Sequence, residues 1–534
     1  MGSIQVLDCT LRDGGYCNEW EFGKHNIKKI IMGLEDSGVE IIECGFLNHK
    51  IEYTEDKSRF SSLSQAEHFI TQGKRDTKYV CMANYGDVDV DRLEEYQGGM
   101  IDGIRVAFHK EDLAEALELC RIIGVKGYKV YIQPMVVLDY TDEEFLILLH
   151  KANEIHPYAF YIVDSFGVMK KKELIHLYYM TEHNLDKSIC IGFHSHNNMQ
   201  LSYANAQVLL ELQGNRDIII DSSIFGMGRG AGNLNTELFE QYLNDNYNKN
   251  YRINPILIIY DEILSTFYNK KSWGYSLSNY LSASYSCHPN YAVYLDEKNT
   301  LSIGDMDKIF QMLDSDKRNI FDKEYIESLY EQYMSRNRIW QESISEFKRL
   351  LLARRILVIA SGKSSYLEKE KILDFIQENN CLVISINADY PYYESDYVFV
   401  SNIRRYKQIN KNLLSKMIIT SNILSDKVYL VIDYDSYTNA YEAVKDNAAL
   451  MLFKYLENQG VREIFVAGLD GYSHDLNDNY ADDNMIIKTS NEWFDKRNEG
   501  LNRYIEELSG RIQISSLTNT KYIRIQSIGG GQDG

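Results

Sequence analysis

The sequence predicts a (β/α)8 barrel, a helical extension and a second, C-terminal α/β domain. A chain of 534 residues is too long for one hydrophobic core. Its first half alternates apolar, β-branched runs with helical periodicity at intervals of roughly 30 residues, as such a barrel requires. A fresh strand signal begins at Arg354, after a stretch in which only helices are indicated.

Eight apolar runs are the predicted barrel strands. Strands of a parallel sheet that is buried on both faces read as near-continuous apolar runs, and these do. An open doubly wound sheet is the alternative that this pattern leaves open. The predicted strands are Ile4–Leu7, Glu40–Phe46, Tyr79–Ala83, Gly103–Phe108, Lys129–Met135, Phe160–Val163, Cys190–Phe193 and Asp217–Ile220.

Helical periodicity between the strands is clearest in EDLAEALELCRIIG. There Leu113, Leu117 and Cys120 recur at helical spacing and Gly124 ends the pattern. We assign residues 1–250 to the barrel, 251–352 to the helical extension and 353–534 to the second α/β domain. That domain begins at RRILVIASGKSS, and CLVISINAD, KVYLVIDYD and REIFVAGLDGY are its further predicted strands.

Composition and charge indicate a globular protein and argue against two kinds of binding partner. The chain is 44% hydrophobic and 25% charged, which is ordinary for a globular protein. A net charge of −20 argues against nucleic acid or an anionic membrane surface as a partner. With no membrane-length apolar run, no visible secretory signal and eight scattered cysteines, we expect a cytoplasmic protein with reduced thiols.

Polar residues at the ends of the first and seventh predicted strands indicate a metal site. Catalytic groups of such barrels come from the carboxyl ends of the strands. His194 and His196 share one side because strand side chains alternate, and Asp13 lies across the barrel mouth. This sulfur-free donor set favours Mn²⁺, with Mg²⁺, Co²⁺ and Zn²⁺ as alternatives. Hydrogen-bonded core histidines and a structural Arg12–Asp13 ion pair are the competing interpretations.

A glycine-rich loop, GMGRGAGN at residues 226–233, follows the eighth predicted strand. Its alternating glycines differ from the GxGxxG dinucleotide spacing. They are compatible with a phosphate-binding loop or with tight turning of the backbone. Asn233, at the end of the loop, is placed where its side-chain oxygen could reach the same metal.

Together these motifs resemble the DRE-TIM metallolyases, the HMG-CoA lyase-like barrels. DCTLRDGGY, GFHSHNN and GMGRGAGNLNTE carry the resemblance, which covers roughly residues 1–290. It is strongest to enzymes of the 4-hydroxy-2-oxovalerate aldolase type and to "aldolase catalytic domain" proteins. The resemblance implies that Asp13, His194, His196 and Asn233 are metal ligands and that Arg12 stabilises an enolate.

The resemblance also implies residues for proton transfer and substrate binding. WGYSLSNY is similar to a tyrosine-bearing helix of the aldolases, so Tyr275, or else Tyr280, is a candidate proton donor. DSFG matches a family motif and makes Ser165 a candidate substrate contact. Tyr16 stands where the aldolases carry a histidine that acts on the substrate hydroxyl, so either Tyr16 or a metal-bound water is the candidate base.

Glu43, which ends the second predicted strand in IIECGF, is a further candidate at the barrel mouth. It is a candidate for binding substrate, for orienting Arg12 or for capping the barrel.

The activity expected from this resemblance is that of a carbon–carbon lyase. A class II pyruvate aldolase would cleave or form a 4-hydroxy-2-oxo acid from pyruvate enolate and an aldehyde. One alternative is a Claisen-type acyl-CoA condensing enzyme of the isopropylmalate or homocitrate synthase kind. Another is a bifunctional protein whose C-terminal domain handles a nucleotide sugar, on the faint similarity of VISINADY, DYVFVSN and FVAGLDGYS to such domains.

The expected partners are small molecules, a 2-oxo acid and an aldehyde. We expect a homo-oligomer. The dehydrogenase partner of the aldolases is not carried over, because here the helical region leads into a large extra domain.

Overall fold

The structure is a computed structural model that describes residues 2–71, 76–212, 214–335, 345–425, 427–487, 489–522 and 526–527. Its contacts divide the chain into two compact units. The first comprises Met1–Val293 and Asp314–Phe321, and the second comprises Tyr294–Leu313 and Asp322–Gly534. Helices from the region 251–352 belong partly to each unit.

The first unit contains a closed parallel barrel. Eight strands pair in the order β1–β2–β4–β5–β6–β7–β8–β9, and β9 pairs with β1 to complete the ring. The prediction of a (β/α)8 barrel is therefore confirmed, and the open-sheet alternative is wrong. The strands are β1 Ile4–Asp8, β2 Ile41–Leu47, β3 Arg59–Phe60 (paired with β2 outside the ring), β4 Lys78–Asn84, β5 Ile101–Phe108, β6 Lys129–Pro134, β7 Ala159–Asp164, β8 Cys190–Ser195 and β9 Ile218–Ser222.

Helices surround the barrel and cover its outer face. All residues of β1, β2, β7, β8 and β9 are buried, as expected for strands that face side chains within the barrel and helices outside it. The helices of this unit are Thr10–Asp13, Gly15–Asn18, Lys24–Ser37, Leu63–Glu67, Leu113–Val125, Asp142–Ile155, Lys171–Asn184, Ser202–Leu212, Thr236–Tyr247, Ile253–Ile259, Ser265–Lys270 and Leu277–Ser284, with a π-helical turn at Tyr260–Leu264.

The second unit has its own eight-stranded sheet, which is parallel throughout. Its order is β14–β13–β12–β11–β10–β15–β16–β17. The strands from β11 to β14 are added one after another on one side of β10, and β15 to β17 are added on its other side. The strand order therefore reverses between β10 and β15. The prediction of a second α/β fold is confirmed. The strands are β10 Arg355–Ile359, β11 Cys381–Ile386, β12 Tyr397–Val400, β13 Met417–Thr420, β14 Leu430–Ile432, β15 Glu463–Ala467, β16 Gln513–Ser516 and β17 Gln526–Ser527.

Further helices accompany this sheet. In the part of the chain that the structure describes, no helix has both the length and the apolar character that crossing a membrane requires. The remaining helices are Asn290–Glu297, which passes from one unit into the other, and Ile303–Gln311, Lys323–Ser335, Ser345–Ala353, Ser364–Leu367, Lys369–Glu378, Ile403–Gln408, Tyr434–Tyr437, Ala448–Asn458 and Asn491–Leu508.

Glu240 is a buried acid between the barrel and its helices. Its side chain is inaccessible to solvent, and its Oε2 accepts a hydrogen bond of 2.7 Å from the Ser37 hydroxyl. Burial raises the pKa of Glu240 to about 8, although the Ser37 hydrogen bond opposes the rise. The folded chain therefore holds this carboxyl in its protonated form at neutral pH.

We predict that Glu240→Gln removes a loss of stability that the wild-type protein undergoes as pH rises from 4.5 to about 8. The ordinary pKa of a glutamate is 4.5, whereas the pKa of Glu240 in the folded chain is about 8. Between these two pH values Glu240 is ionised only in the unfolded wild-type chain, so the free energy of unfolding of the wild type falls as the pH rises. Relative to wild type, the variant should gain on the order of 1.4 kcal/mol of unfolding free energy per pH unit across this interval. Urea unfolding at several pH values measures this difference. Glu211→Gln, at an exposed position, is the control, and parallel curves for Glu240→Gln and wild type would contradict the prediction.

Candidate metal centre

Asp13, His194 and His196 come together at the carboxyl ends of β1 and β8. Each side chain offers one ligand atom, the three atoms lie within 4.8 Å of one another, and all three residues are buried. Asp13 belongs to the short helix Thr10–Asp13 that follows β1, whereas His194 lies in β8. His196 follows β8 and forms an isolated backbone bridge with Asn233. The structure thus joins the side chains that the sequence motifs predicted as ligands.

Asp221 fixes the orientation of His194. The Nδ1 atom of His194 lies 2.9 Å from Oδ2 of Asp221, at the end of β9. A carboxylate can only accept, so we assign the proton to Nδ1, which leaves the Nε2 lone pair free for a metal ion. Burial alone would raise the pKa of Asp221, but Arg105 and His194 hold it below its ordinary value.

His196 and Asn233 carry buried atoms that the described residues leave without hydrogen-bond partners. Nδ1 of His196 lies 3.8 Å from Oδ2 of Asp13 and accepts no hydrogen bond. Burial lowers the pKa of His196 to about 3, against the opposing effect of Asp13, so its ring is neutral. Nδ2 of Asn233 donates to Oδ2 of Asp13 over 2.8 Å, and this leaves its buried Oδ1 unpartnered. A neutral imidazole and a free carbonyl oxygen beside a carboxylate fit a divalent cation.

The glycine-rich loop packs directly against this cluster. A Cβ atom at Gly228 would lie 2.5 Å from Nδ2 of Asn233 and 2.6 Å from Oδ2 of Asp13, so only glycine fits there. Gly232 has a φ of +80°, and a Cβ atom would lie 1.9 Å from the Gly226 carbonyl oxygen. The close approach of the backbone to Asp13 and Asn233 accounts for glycine at position 228, and the positive φ and the contact with Gly226 account for glycine at position 232.

A buried chain of alternating charges links Asp13 to His194. Arg12 Nη1 donates to Asp13, and Arg12 Nε donates to Oε2 of Glu43 over 2.7 Å. Oε1 of Glu43 lies 2.8 Å from Nη1 of Arg105, and Nη2 of Arg105 contacts Asp221, the partner of His194. None of these side chains is more than 7% exposed. The order is Asp13, Arg12, Glu43, Arg105, Asp221 and His194.

This chain of charges favours a bound cation. Its three carboxylates and two guanidiniums leave one net negative charge beside the neutral imidazole of His196. Arg105 and Asp221 are not among the site residues predicted from the sequence. The sequence nevertheless contained an indication of both residues. Arg105 is the one charged residue of the predicted strand GIRVAF, and Asp221 is the one charged residue of IIIDS. A charge that is fully buried requires a partner of opposite charge.

Two of the other predicted residues, Glu43 and Ser165, are buried. Glu43 has no exposed surface, and its two oxygens face Arg12 and Arg105. Ser165 is 6% exposed and its hydroxyl accepts a hydrogen bond of 2.8 Å from the Val136 amide. Both therefore already contact neighbouring protein groups.

The predicted tyrosines are more exposed. Tyr16 is 38% exposed; its ring packs edge-on against Trp20, and the Arg229 guanidinium lies 5.3 Å from the ring centre. The backbone amide of Arg229 is 3.4 Å from Oδ2 of Asp13, so Tyr16 and the metal cluster share this neighbour. Tyr275 and Tyr280 are 55% and 41% exposed, and neither side chain hydrogen-bonds to a described residue of the cluster.

Comparison with known proteins finds matches over the barrel region of the chain. The HMGL-like family model matches residues 3–249. A 4-hydroxy-2-oxovalerate aldolase of Geobacillus genomosp. 3 is 25% identical over 245 residues, 44% of this chain and 69% of that enzyme. A 4-hydroxy-2-oxovalerate aldolase of Thermomicrobium roseum is 26% identical over 252 residues, which are 45% of this chain and 66% of that enzyme. An oxaloacetate decarboxylase of Mycobacterium tuberculosis is 22% identical over 237 residues, which are 43% of this chain and 67% of that enzyme. Each match spans less than half of this chain.

We predict that Asp221→Asn weakens divalent metal binding by roughly 10- to 100-fold. An asparagine amide can donate to Nδ1 of His194, which favours the tautomer whose proton occupies the metal-facing Nε2. Isothermal titration of the variant with Mn²⁺ measures the loss. Asp217→Asn is the matched control, since Asp217 lies just before the same strand but is exposed. Equal Mn²⁺ affinity of wild type and a folded Asp221→Asn would contradict the assigned role.

Proposed function

We propose that this protein, whose residues 3–249 match the HMGL-like family model, is a divalent-metal-dependent lyase that cleaves or forms a 4-hydroxy-2-oxo acid. One observation carries the proposal. The ligand cluster of Asp13, His194 and His196 lies beside Arg12, whose buried Nη2 has no hydrogen-bond partner among the described residues. The relatives named 4-hydroxy-2-oxovalerate aldolase support a 4-hydroxy-2-oxo acid as the substrate of this site.

Asp13, His194 and His196 would hold the metal ion, with Oδ1 of Asn233 as a fourth ligand. This nitrogen and oxygen donor set favours Mn²⁺, and Mg²⁺, Co²⁺ or Zn²⁺ are alternatives. When bound, the ion would supply Lewis acidity towards the 2-oxo group of the substrate.

Arg12 is the proposed stabiliser of the enolate. Its Nε is fixed by Glu43 and its Nη1 by Asp13, so the side chain is held rigidly from two sides. The unpartnered Nη2 is then available to donate to an oxygen on which negative charge develops. Glu43 acts through Arg12, which makes it a positioning residue in this proposal.

In the cleavage direction, a base removes the proton of the C4 hydroxyl and the C3–C4 bond breaks. The C4 carbon leaves as an aldehyde, and the bonding electrons form the enolate of pyruvate, which is then protonated at C3. Tyr16 is the proposed base because it is exposed three residues beyond Asp13. Tyr275 is the proposed proton donor to C3, and Ser165 the proposed substrate contact.

Pyruvate release from a panel of 4-hydroxy-2-oxo acids, with Mn²⁺ or Mg²⁺ added, tests this activity. We predict that His194→Ala abolishes release, because the variant loses a metal ligand. His176→Ala, at an exposed histidine on a barrel helix, should retain full activity. Unchanged activity in His194→Ala would refute the metal site. Free thiol released from acetyl-CoA and a 2-oxo acid would instead assign the Claisen condensation, the second candidate.

We predict that Arg12→Lys lowers kcat by about 10²- to 10³-fold while the affinity for Mn²⁺ changes little. A lysine keeps the charge but cannot contact Glu43, Asp13 and the substrate at once. Steady-state kinetics and Mn²⁺ titration of the same preparation separate the two effects. A loss of Mn²⁺ affinity equal to the loss of kcat would assign Arg12 to metal binding rather than to the enolate.

A further inference from the structure

The second unit contains a cleft at the carboxyl ends of β10, β11, β12 and β15. Residues 360–362, 386–387, 401–402 and 468–472 line it, and it contains a cavity of about 140 Å³ that opens to solvent. The strand order reverses between β10 and β15, directly beneath these loops. Open parallel α/β sheets bind ligands in the crevice at such a reversal. The barrel chemistry makes no use of this cleft.

Two arginines line the cleft without a carboxylate partner among the described residues. Arg405 is 8% exposed and donates to neutral oxygens, with 2.6 Å to the Met485 carbonyl and 3.1 Å to Oε1 of Gln408. The guanidinium of Arg497 lies 4.2 Å from the ring centre of Trp493, and its buried Nε has no hydrogen-bond partner. A largely buried guanidinium that faces only neutral groups is a site for an anion.

The acids that line the cleft are already engaged by donors. Asp446 accepts from the Tyr330 hydroxyl over 2.9 Å. Asp470 accepts from the backbone amide of Ser364 over 2.8 Å and from the Ser364 hydroxyl. The start of the helix Ser364–Leu367, which follows the SGKSS stretch, therefore already faces a carboxylate. An anionic ligand would meet the arginines instead.

Aromatic and carboxamide side chains form the rest of the wall. Asn387 follows β11 in the left-handed region, with a φ of +57°, and its buried Oδ1 has no hydrogen-bond partner. That oxygen is free to accept a hydrogen bond from an amino or hydroxyl group of a ligand. Aromatic rings favour contact with a planar ring. The aromatic residues that line the cleft are Tyr472, Tyr480, Trp493 and Tyr522.

We propose that this cleft binds a nucleotide. Arg405 and Arg497 hold its phosphate, the aromatic side chains contact its base, and Oδ1 of Asn387 accepts a hydrogen bond from its base or ribose. The two arginines favour an anion, whereas the rings and the unpartnered carboxamide oxygen favour a planar group that carries a donor. A nucleotide carries an anionic phosphate together with a planar base and hydrogen-bond donors.

Titration of the full-length protein with nucleoside mono- and diphosphates of each base tests the proposal. Inorganic pyrophosphate and the free nucleosides serve as the comparison probes. We expect at least one nucleotide to bind, to change the fluorescence of Trp493 and to bind at least 10-fold more tightly than pyrophosphate or its nucleoside. No nucleotide binding up to about 1 mM, or equally tight binding of pyrophosphate, would overturn it.

Variants locate the binding in the cleft. Arg497→Gln and Asn387→Ala should each weaken nucleotide binding about 10-fold or more and leave pyruvate release unchanged. Arg503→Gln is the matched control, because Arg503 lies on the same helix but is exposed and paired with Glu499. His194→Ala should bind the nucleotide as wild type does. Wild-type affinity in both cleft variants, or loss of binding in His194→Ala, would overturn the assignment to this cleft.

Discussion

The buried chain of charges from Asp13 to His194 is the constraint on which the barrel site depends. Each ion would cost several kcal/mol to bury alone, but each faces an opposite charge. Arg105 of β5 joins Glu43 of β2 to Asp221 of β9, strands that face one another only when the barrel is closed. The same contacts orient Arg12 and His194, so the barrel interior and the candidate metal centre share one set of interactions.

Much of the barrel could be predicted from the sequence, because parallel strands that are buried on both faces are apolar almost without interruption. The observed strands begin and end within one or two residues of the predicted runs. The alternation of side chains along a strand, and the position of these residues at strand ends, were likewise enough to predict that Asp13, His194 and His196 lie together. The roles of Arg105 and Asp221 could not be predicted, since their partners lie far away along the chain. Short strands such as β12 and β13 of the second unit gave too little periodicity to be recognised.

The two units place their polar residues by the same rule. In each, polar groups gather at the carboxyl ends of parallel strands and in the loops that follow them, while most other strand residues are apolar. The ring of the first unit directs carboxylates and imidazoles to one point, which favours a cation. The open sheet of the second unit spreads arginines, asparagines and aromatic rings along a crevice, which favours a larger anionic molecule.

The position of Arg105 also bears on how the barrel folds. Its ion-pair partners lie 62 residues earlier and 116 residues later in the chain, at Glu43 and Asp221. A folding intermediate that has formed β5 but not yet added β9 leaves this guanidinium short of one carboxylate, and water must remain around it. Loss of that water and closure of the ring then become one late, non-local step, which makes slow and cooperative folding a consequence of the same contacts that orient Arg12 and His194.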